Sequence, residues 1–80
     1  MAWIRLDKSV IVNSDKLSSI AIRQGQIEGV SYYILFSIDR LTTFSSKNFK
    51  SYVDCVEFFD KICDELKTEN YIDIEELYSY

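Results

Sequence analysis

The segment SYVDCVEFFDKICDEL, residues 51–66, has two chemically different sides when it is read as a helix. Its apolar residues recur at spacings of three and four: Tyr52, Cys55, Val56, Phe59, Ile62, Cys63 and Leu66. This spacing predicts one apolar stripe along an α-helix. Ser51 followed by Asp54 is typical of a capping box, and Lys67 suits the negative end of the helix dipole. We therefore predict a helix over residues 51–67 that must bury its stripe against another element.

The residues ahead of this helix have the pattern of β-strands. Stretches rich in strand formers are separated by short turns, at 2–6, 10–12, 17–24, 30–38 and 42–46. In the strongest of them, VSYYILFSI, the alternate residues Val30, Tyr32, Ile34, Phe36 and Ile38 form one continuous apolar face. The opposite face carries Tyr33 and Leu35 between serines, so we expect it to remain open.

Strands followed by one amphipathic helix predict an α+β fold. We expect a small antiparallel sheet of four to five strands over residues 1–46, with the helix packed on one face. The loop at 25–29 is bracketed by the two glycines of the chain, for which a positive φ costs little. The acidic, tyrosine-rich tail over residues 70–80 is predicted to form a short helix beginning at Asp73, or else an extended segment.

Length and composition set further limits. Eighty residues that are 48% hydrophobic form one small domain rather than a disordered tail. The longest purely apolar run, 32–36, is far shorter than the ~20 residues of a membrane span. We recognise no signal peptide at the N-terminus. Cys55 and Cys63 are separated by about 12 Å along the helix, too far for a disulfide. Free thiols fit a reducing compartment, so we expect a cytoplasmic protein.

The residue types argue against catalysis. The chain has no histidine, which removes the commonest general base and the commonest metal ligand. Two cysteines on the apolar stripe are more typical of a core than of a nucleophile or a zinc site. Gly25 and Gly29 match no phosphate-binding loop. We expect no enzymatic activity, no metal and no cofactor.

The charge is divided along the chain. Residues 1–50 hold seven basic and four acidic residues, whereas residues 51–80 hold two basic and nine acidic residues. Asp54, Glu57, Asp60 and Asp64 lie outside the apolar stripe, and carboxylates one helical turn apart are ~5–6 Å from each other. That spacing is within a factor of two of the phosphate spacing along a nucleic-acid strand. Acids also accompany tyrosines in the tail, and tyrosine is enriched in protein interfaces.

Two resemblances follow from these residues. The opening WIRL, then VIVNSDKLSSIAI, a further strand and a helix, is similar in layout to the small FlbD-like flagellar proteins. The small size, the divided charge and the row Asp54, Glu57, Asp60 and Asp64 resemble phage-encoded inhibitors of bacterial defence, the anti-CRISPR proteins. The second resemblance implies a protein that binds a basic groove or a regulatory surface of a nuclease complex.

We therefore expect a non-enzymatic inhibitor or adaptor that binds a basic protein, for example a nuclease or CRISPR effector complex. The expected partner-binding residues lie on the helix and tail: Asp54, Glu57, Asp60, Asp64, Glu65, Tyr71, Glu75, Glu76 and Tyr78. One alternative is a structural module or homodimer that self-associates through the open sheet face, Tyr33 and Leu35, or through an edge strand. The other is binding of single-stranded nucleic acid by basic and aromatic sheet residues: Arg5, Lys8, Lys16, Arg23, Trp3 and Tyr33. For the main hypothesis we expect neither direct nucleic-acid binding nor a membrane association.

Overall fold

A computed structural model describes residues 2–25, 29–39 and 41–78. Its elements follow the chain in this order: β1 Trp3–Asp7, β2 Val10–Asn13, a 3-10 turn Ser14–Lys16, β3 Ser19–Gly25, β4 Ser31–Ser37, β5 Thr43–Ser45, α1 Tyr52–Thr68, β6 Tyr71–Asp73 and α2 Ile74–Leu77. The α+β class, the main helix and the short C-terminal helix predicted from the sequence are confirmed.

The strands form two three-stranded sheets rather than one. The first sheet has the order β2-β1-β6, and it joins the two ends of the chain. β1 and β2 form the predicted hairpin, with Trp3 opposite Asn13. β6 lies parallel to β1, with Trp3 opposite Tyr71. The tail therefore forms both structures that the sequence left open, an extended segment followed by the helix that Asp73 caps.

The second sheet, β3-β4-β5, is antiparallel throughout. β4 is its central strand, as the alternation over residues 30–38 predicts. Beyond β5 the chain returns to β4, where Phe49 and Tyr32 exchange backbone hydrogen bonds of 2.7 and 2.8 Å. This bridge fixes the segment that leads into α1.

The core lies between the inner faces of the sheets and the two helices. Its buried members are Ile4, Leu6, Ile34, Phe36, Cys55, Phe58, Ile62, Ile72, Ile74 and Leu77. α1 lies over β4 and β3, while α2 lies against β1. The first and last strands thus contribute to the same core as the predicted helix.

Three details differ from the sequence-based expectation. Phe58, expected at the flank of the apolar stripe, is buried with Cys55 and Ile62, and the rings of Phe49 and Tyr78 pack against it. Tyr52, expected in the stripe, is 55% exposed at the first turn, where its ring meets the edge of Tyr32 at 5.3 Å. Val30 precedes β4 and is 57% exposed, so the core face of that strand begins after it.

Two further expectations concern a loop and the membrane. Gly29 has φ 105°, a conformation that glycine adopts without steric cost. The rest of the predicted loop, residues 26–28, lies outside the described residues, as does Tyr80. Within the described ranges no helix is both long and apolar enough to cross a membrane.

Candidate protein-binding surface

α1 holds the predicted acids in a fixed row. The helix begins after Ser51, whose hydroxyl accepts the backbone N–H of Asp54 at 3.4 Å, and it ends at Thr68. Cys55, Phe58 and Ile62 face the core, which turns the opposite side of the helix outward. The sequence periodicity alone therefore determines which carboxylates reach solvent.

Asp54, Glu57, Asp60 and Asp64 are all exposed on α1, and we call these four residues the acidic helix face. Among the described residues, the ion pair that joins the basic first part of the chain to the acidic last part is Arg5 with Asp73, at 3.5 Å. That pair joins β1 and β6 of the first sheet. In the part of the chain that the structure describes, the basic first half therefore forms no ion pair with the acidic helix face.

A groove runs beside the acidic helix face. It has a volume of about 300 Å³ and is lined by Lys47, Phe49, Asp54, Glu57, Phe58, Lys61, Leu77 and Tyr78. Carboxylates and aromatic rings thus share one concave surface. Sequence reasoning missed Lys47 and Phe49, because nothing in the polar stretch 45–50 indicates that it returns to β4.

Tyr78 is a packing residue of this groove rather than an exposed anchor. Its ring stacks on Phe58 with centroids 4.8 Å apart, and its hydroxyl accepts the backbone N–H of Lys47 at 3.0 Å. The ammonium of Lys47 lies 4.8 Å from the centre of the same ring. Burial raises the pKa of Tyr78, while the Lys47 N–H acts in the opposite direction.

The remaining predicted residues lie apart from the helix face. Glu65, Tyr71 and Glu76 meet around a smaller cleft of about 110 Å³ between α1, β6 and α2. Tyr71 is 51% exposed there, so it keeps the character expected of an interface tyrosine. Glu75 lies on the other side of α2, in a cleft shared with Asp7 and Tyr78.

Tyr33 and Leu35 lie on the outer face of the second sheet and are half-buried. They line a cleft of about 360 Å³ together with Gly25, Ser45, Ser46 and Asn48. On the same side of β4, Ser31 is buried and its hydroxyl makes no hydrogen bond. This face is therefore partly covered rather than fully open.

The basic and aromatic residues considered for nucleic-acid binding are distributed over different elements. Trp3 and Arg5 belong to the first sheet, whereas Arg23 and Tyr33 are register partners in the second. Arg5 is also engaged by Asp73. The structure thus divides this set between two sheets.

Both cysteines carry free thiols, Cys55 in the core and Cys63 half-buried on α1. Burial raises the pKa of each thiol, and the carboxylate of Asp60 adds to the effect at Cys63. Both groups are therefore held in the protonated form, which is a poor nucleophile.

Comparisons of the chain with protein-family models, with curated proteins and with solved structures found no match.

Proposed function

We propose that this chain is a non-enzymatic inhibitor or adaptor, of the phage anti-CRISPR kind, that binds a basic, nucleic-acid-handling protein through the acidic helix face. The observation that carries the proposal is the outward row of four carboxylates, for which the described basic residues of the first half provide no ion pair. Exposed charge of one sign attracts a partner of the opposite sign and accelerates association.

The spacing of the row supports a partner that normally binds nucleic acid. Asp54 and Glu57 are one turn apart, as are Asp60 and Asp64, so neighbouring carboxylates are ~5–6 Å from each other. A groove with arginine and lysine side chains arranged for phosphates can accept such a row. Occupation of that groove would exclude the nucleic acid, which is the proposed basis of inhibition.

The groove beside the helix supports binding by more than charge. Phe49, Phe58 and Tyr78 form an aromatic wall next to Asp54 and Glu57. Buried aromatic contacts supply most of the affinity in many protein interfaces, whereas charges at the rim chiefly affect the association rate. Glu65 on α1 and Tyr71, Glu75 and Glu76 in the tail are proposed as secondary contacts.

The proposed location is the cytoplasm, that of the host if the chain is phage-encoded. Two protonated, unpaired thiols, one of them in the core, suit a reducing compartment. The low reactivity of both thiols also supports a role in binding rather than in covalent chemistry.

The test compares two double variants that change the net charge equally. Glu57→Gln with Asp60→Asn removes two charges from the acidic helix face, whereas Asp15→Asn with Glu69→Gln removes two exposed charges elsewhere. Immobilised wild-type chain is expected to capture a basic nucleic-acid-binding protein from a bacterial lysate at physiological salt. Capture should fall at least about tenfold for the first variant and remain near the wild-type level for the second.

Equal capture by both double variants would refute the proposed surface. A captured protein without a basic nucleic-acid groove would refute the proposed class of partner. The association rate should also fall as salt rises, since exposed charges more than about 8 Å apart are screened at physiological ionic strength.

A further inference from the structure

Within the described residues, β3 is an edge strand of the second sheet, paired only with β4. It has seven residues, Ser19–Gly25, and it contacts β4 along one side and α1 on its inner face. The other terminal strands are less suited to pairing. β5 and β6 have three residues each, and β2 has four and adjoins a register shift in its pairing with β1. Natural proteins protect long edges with proline, charged side chains or bulges. Residues 19–25 contain no proline and one charged residue, Arg23, and their pairing with β4 has no register shift.

The hydrogen bonds of β4 establish which backbone groups of β3 point outward. The N–H of Ile34 donates to the Ser46 hydroxyl at 2.8 Å, and its carbonyl accepts the Ser46 N–H at 2.8 Å. Tyr32 likewise exchanges both of its backbone bonds with Phe49. These groups of β4 therefore face away from β3.

In an antiparallel pair, opposite residues either exchange both backbone bonds or direct them away from each other. Ile22 is opposite Ile34, and Gln24 is opposite Tyr32. Ile22 and Gln24 must therefore point their N–H and carbonyl groups toward the free edge, and the period of two extends this to Ile20. Among the described residues, the Ile22 carbonyl has one side-chain contact, the guanidinium of the adjacent Arg23 at 3.5 Å.

We infer that β3 pairs antiparallel with β3 of a second copy of this chain, forming a continuous six-stranded sheet with a two-fold axis at Ile22. In this register Ile22 lies opposite its own copy, and Ile20 lies opposite Gln24. Each residue whose N–H and carbonyl point toward the free edge lies opposite another such residue of the partner copy. Each of these pairs therefore exchanges two backbone hydrogen bonds. A shift of the register by two residues leaves one outward residue of each copy without a partner.

The second copy is favoured because β3 is complementary to itself in this register. Ile20 and Ile22 are half-buried on the inner side. In the proposed register Ile22 would pack against Ile22 of the partner copy, and Ile20 would lie beside Gln24 of that copy. On the outer side, Ala21 lies opposite Arg23 of the partner, so no like charges are directly opposite. A contact of one strand per copy is small, and we expect a weak dimer that forms at high protein concentration. This surface differs from the acidic helix face, so the inference does not depend on the proposed function.

The proposed register predicts that charges of opposite sign at position 21 change the affinity of the dimer in opposite directions. Ala21→Glu places a carboxylate opposite Arg23 of the partner, twice by symmetry, and should tighten the dimer roughly two- to thirtyfold. Ala21→Lys places like charges opposite each other and should weaken the dimer by a similar factor. Sedimentation velocity of the full chain from micromolar to millimolar concentration measures both.

A second pair of variants tests the backbone contact. Gln24 is exposed and its N–H points outward, so Gln24→Pro removes an edge donor without removing a bond to β4. Self-association should fall by roughly tenfold or more, while Gln24→Ala, which keeps the N–H, should match the wild type. Circular dichroism checks that each variant is folded, and the Ala21 pair decides the question if Gln24→Pro unfolds.

A wild-type chain that remains monomeric at millimolar concentration would overturn the inference. Equal self-association of Ala21→Glu and Ala21→Lys, or shifts in the same direction, would exclude the proposed register. Higher salt should strengthen this dimer, because both copies carry a net charge of −4. The same change in salt should slow binding through the acidic helix face, which separates the two interactions experimentally.

Discussion

Asp73 connects the tail to the rest of the fold, and replacing it should lower the free energy of unfolding by a predictable amount. Its carboxylate accepts the backbone N–H groups of Glu75 and Glu76 at 3.0 and 3.4 Å, which caps α2. A second oxygen lies 3.5 Å from the Arg5 guanidinium. Asp73 is also the register partner of Arg5 in the parallel pair of β1 and β6. One side chain therefore stabilises a helix start, a strand pairing and an ion pair.

The two contributions can be separated because asparagine caps a helix about as well as aspartate does. Loss of the cap in Asp73→Ala should cost about 1 kcal/mol. The ion pair is long, and the arginine side chain is 37% exposed, so its loss should cost at most about 0.5 kcal/mol. We expect Asp73→Asn to lower the free energy of unfolding by about 0.5 kcal/mol and Asp73→Ala by about 1.5 kcal/mol.

Urea denaturation followed by circular dichroism measures these differences. For a domain of this size, 1.5 kcal/mol corresponds to a decrease of about 6–12 °C in Tm. Equal destabilisation by Asp73→Asn and Asp73→Ala would show that the charge, and not the cap, carries the contribution. An Asp73→Ala variant as stable as the wild type would refute the described attachment of the tail.

Four further predictions concern the core and the aromatic groove. Ile62 is fully buried, so Ile62→Ala should lower the free energy of unfolding by about 2–5 kcal/mol in urea denaturation. Ser31→Ala removes a buried hydroxyl that makes no hydrogen bond, and it should raise the free energy of unfolding by about 1 kcal/mol. The pKa of Tyr78 is raised by burial in the folded state. The contribution of Tyr78 to the free energy of unfolding should therefore be complete below the unfolded pKa of about 10, and it should be lost as the pH rises through the folded pKa. The Tyr78→Phe variant has no phenol to ionise, so its stability should fall less steeply at alkaline pH. In alkylation at neutral pH, the half-buried Cys63 should react slowly and the buried Cys55 only after unfolding.

Each of these four predictions has a contradicting outcome. If Ile62→Ala lowered the free energy of unfolding by much less than about 2 kcal/mol, the Ile62 side chain would not be in the core. If Ser31→Ala lowered the free energy of unfolding, the Ser31 hydroxyl would have a hydrogen-bond partner. An unchanged alkaline profile in Tyr78→Phe would mean that Tyr78 titrates as an exposed phenol. Alkylation of Cys55 at the rate of a free thiol in the folded protein would contradict its place in the core.

The local elements could be predicted from the sequence because each rests on short-range patterns. The alternation over residues 30–38 and the spacing of three and four over residues 52–66 indicate which faces are buried. Asp73 as a helix start follows from the ability of aspartate to accept backbone N–H groups. The exposure of Asp54, Glu57 and Asp60 follows from the same helical period.

The arrangement of the strands could not be predicted in the same way. β6 has three residues, and its partner Trp3 is 68 positions away, so no local pattern indicates the parallel pairing. That pairing divides the strands into two sheets. The tail also carries Tyr78, which stacks on Phe58, so Phe58 is buried and Tyr78 packs instead of projecting. Long-range contacts thus account for the site residues whose surroundings differed from expectation.

The proposed mode of inhibition is tested most directly by competition for the captured partner. Fluorescence anisotropy of a labelled single-stranded oligonucleotide bound to that partner should decrease as this chain is added, since both ligands would occupy one basic groove. The Glu57→Gln, Asp60→Asn variant should displace the oligonucleotide only at concentrations at least about tenfold higher. An oligonucleotide that stays bound while the chain also binds would contradict the account.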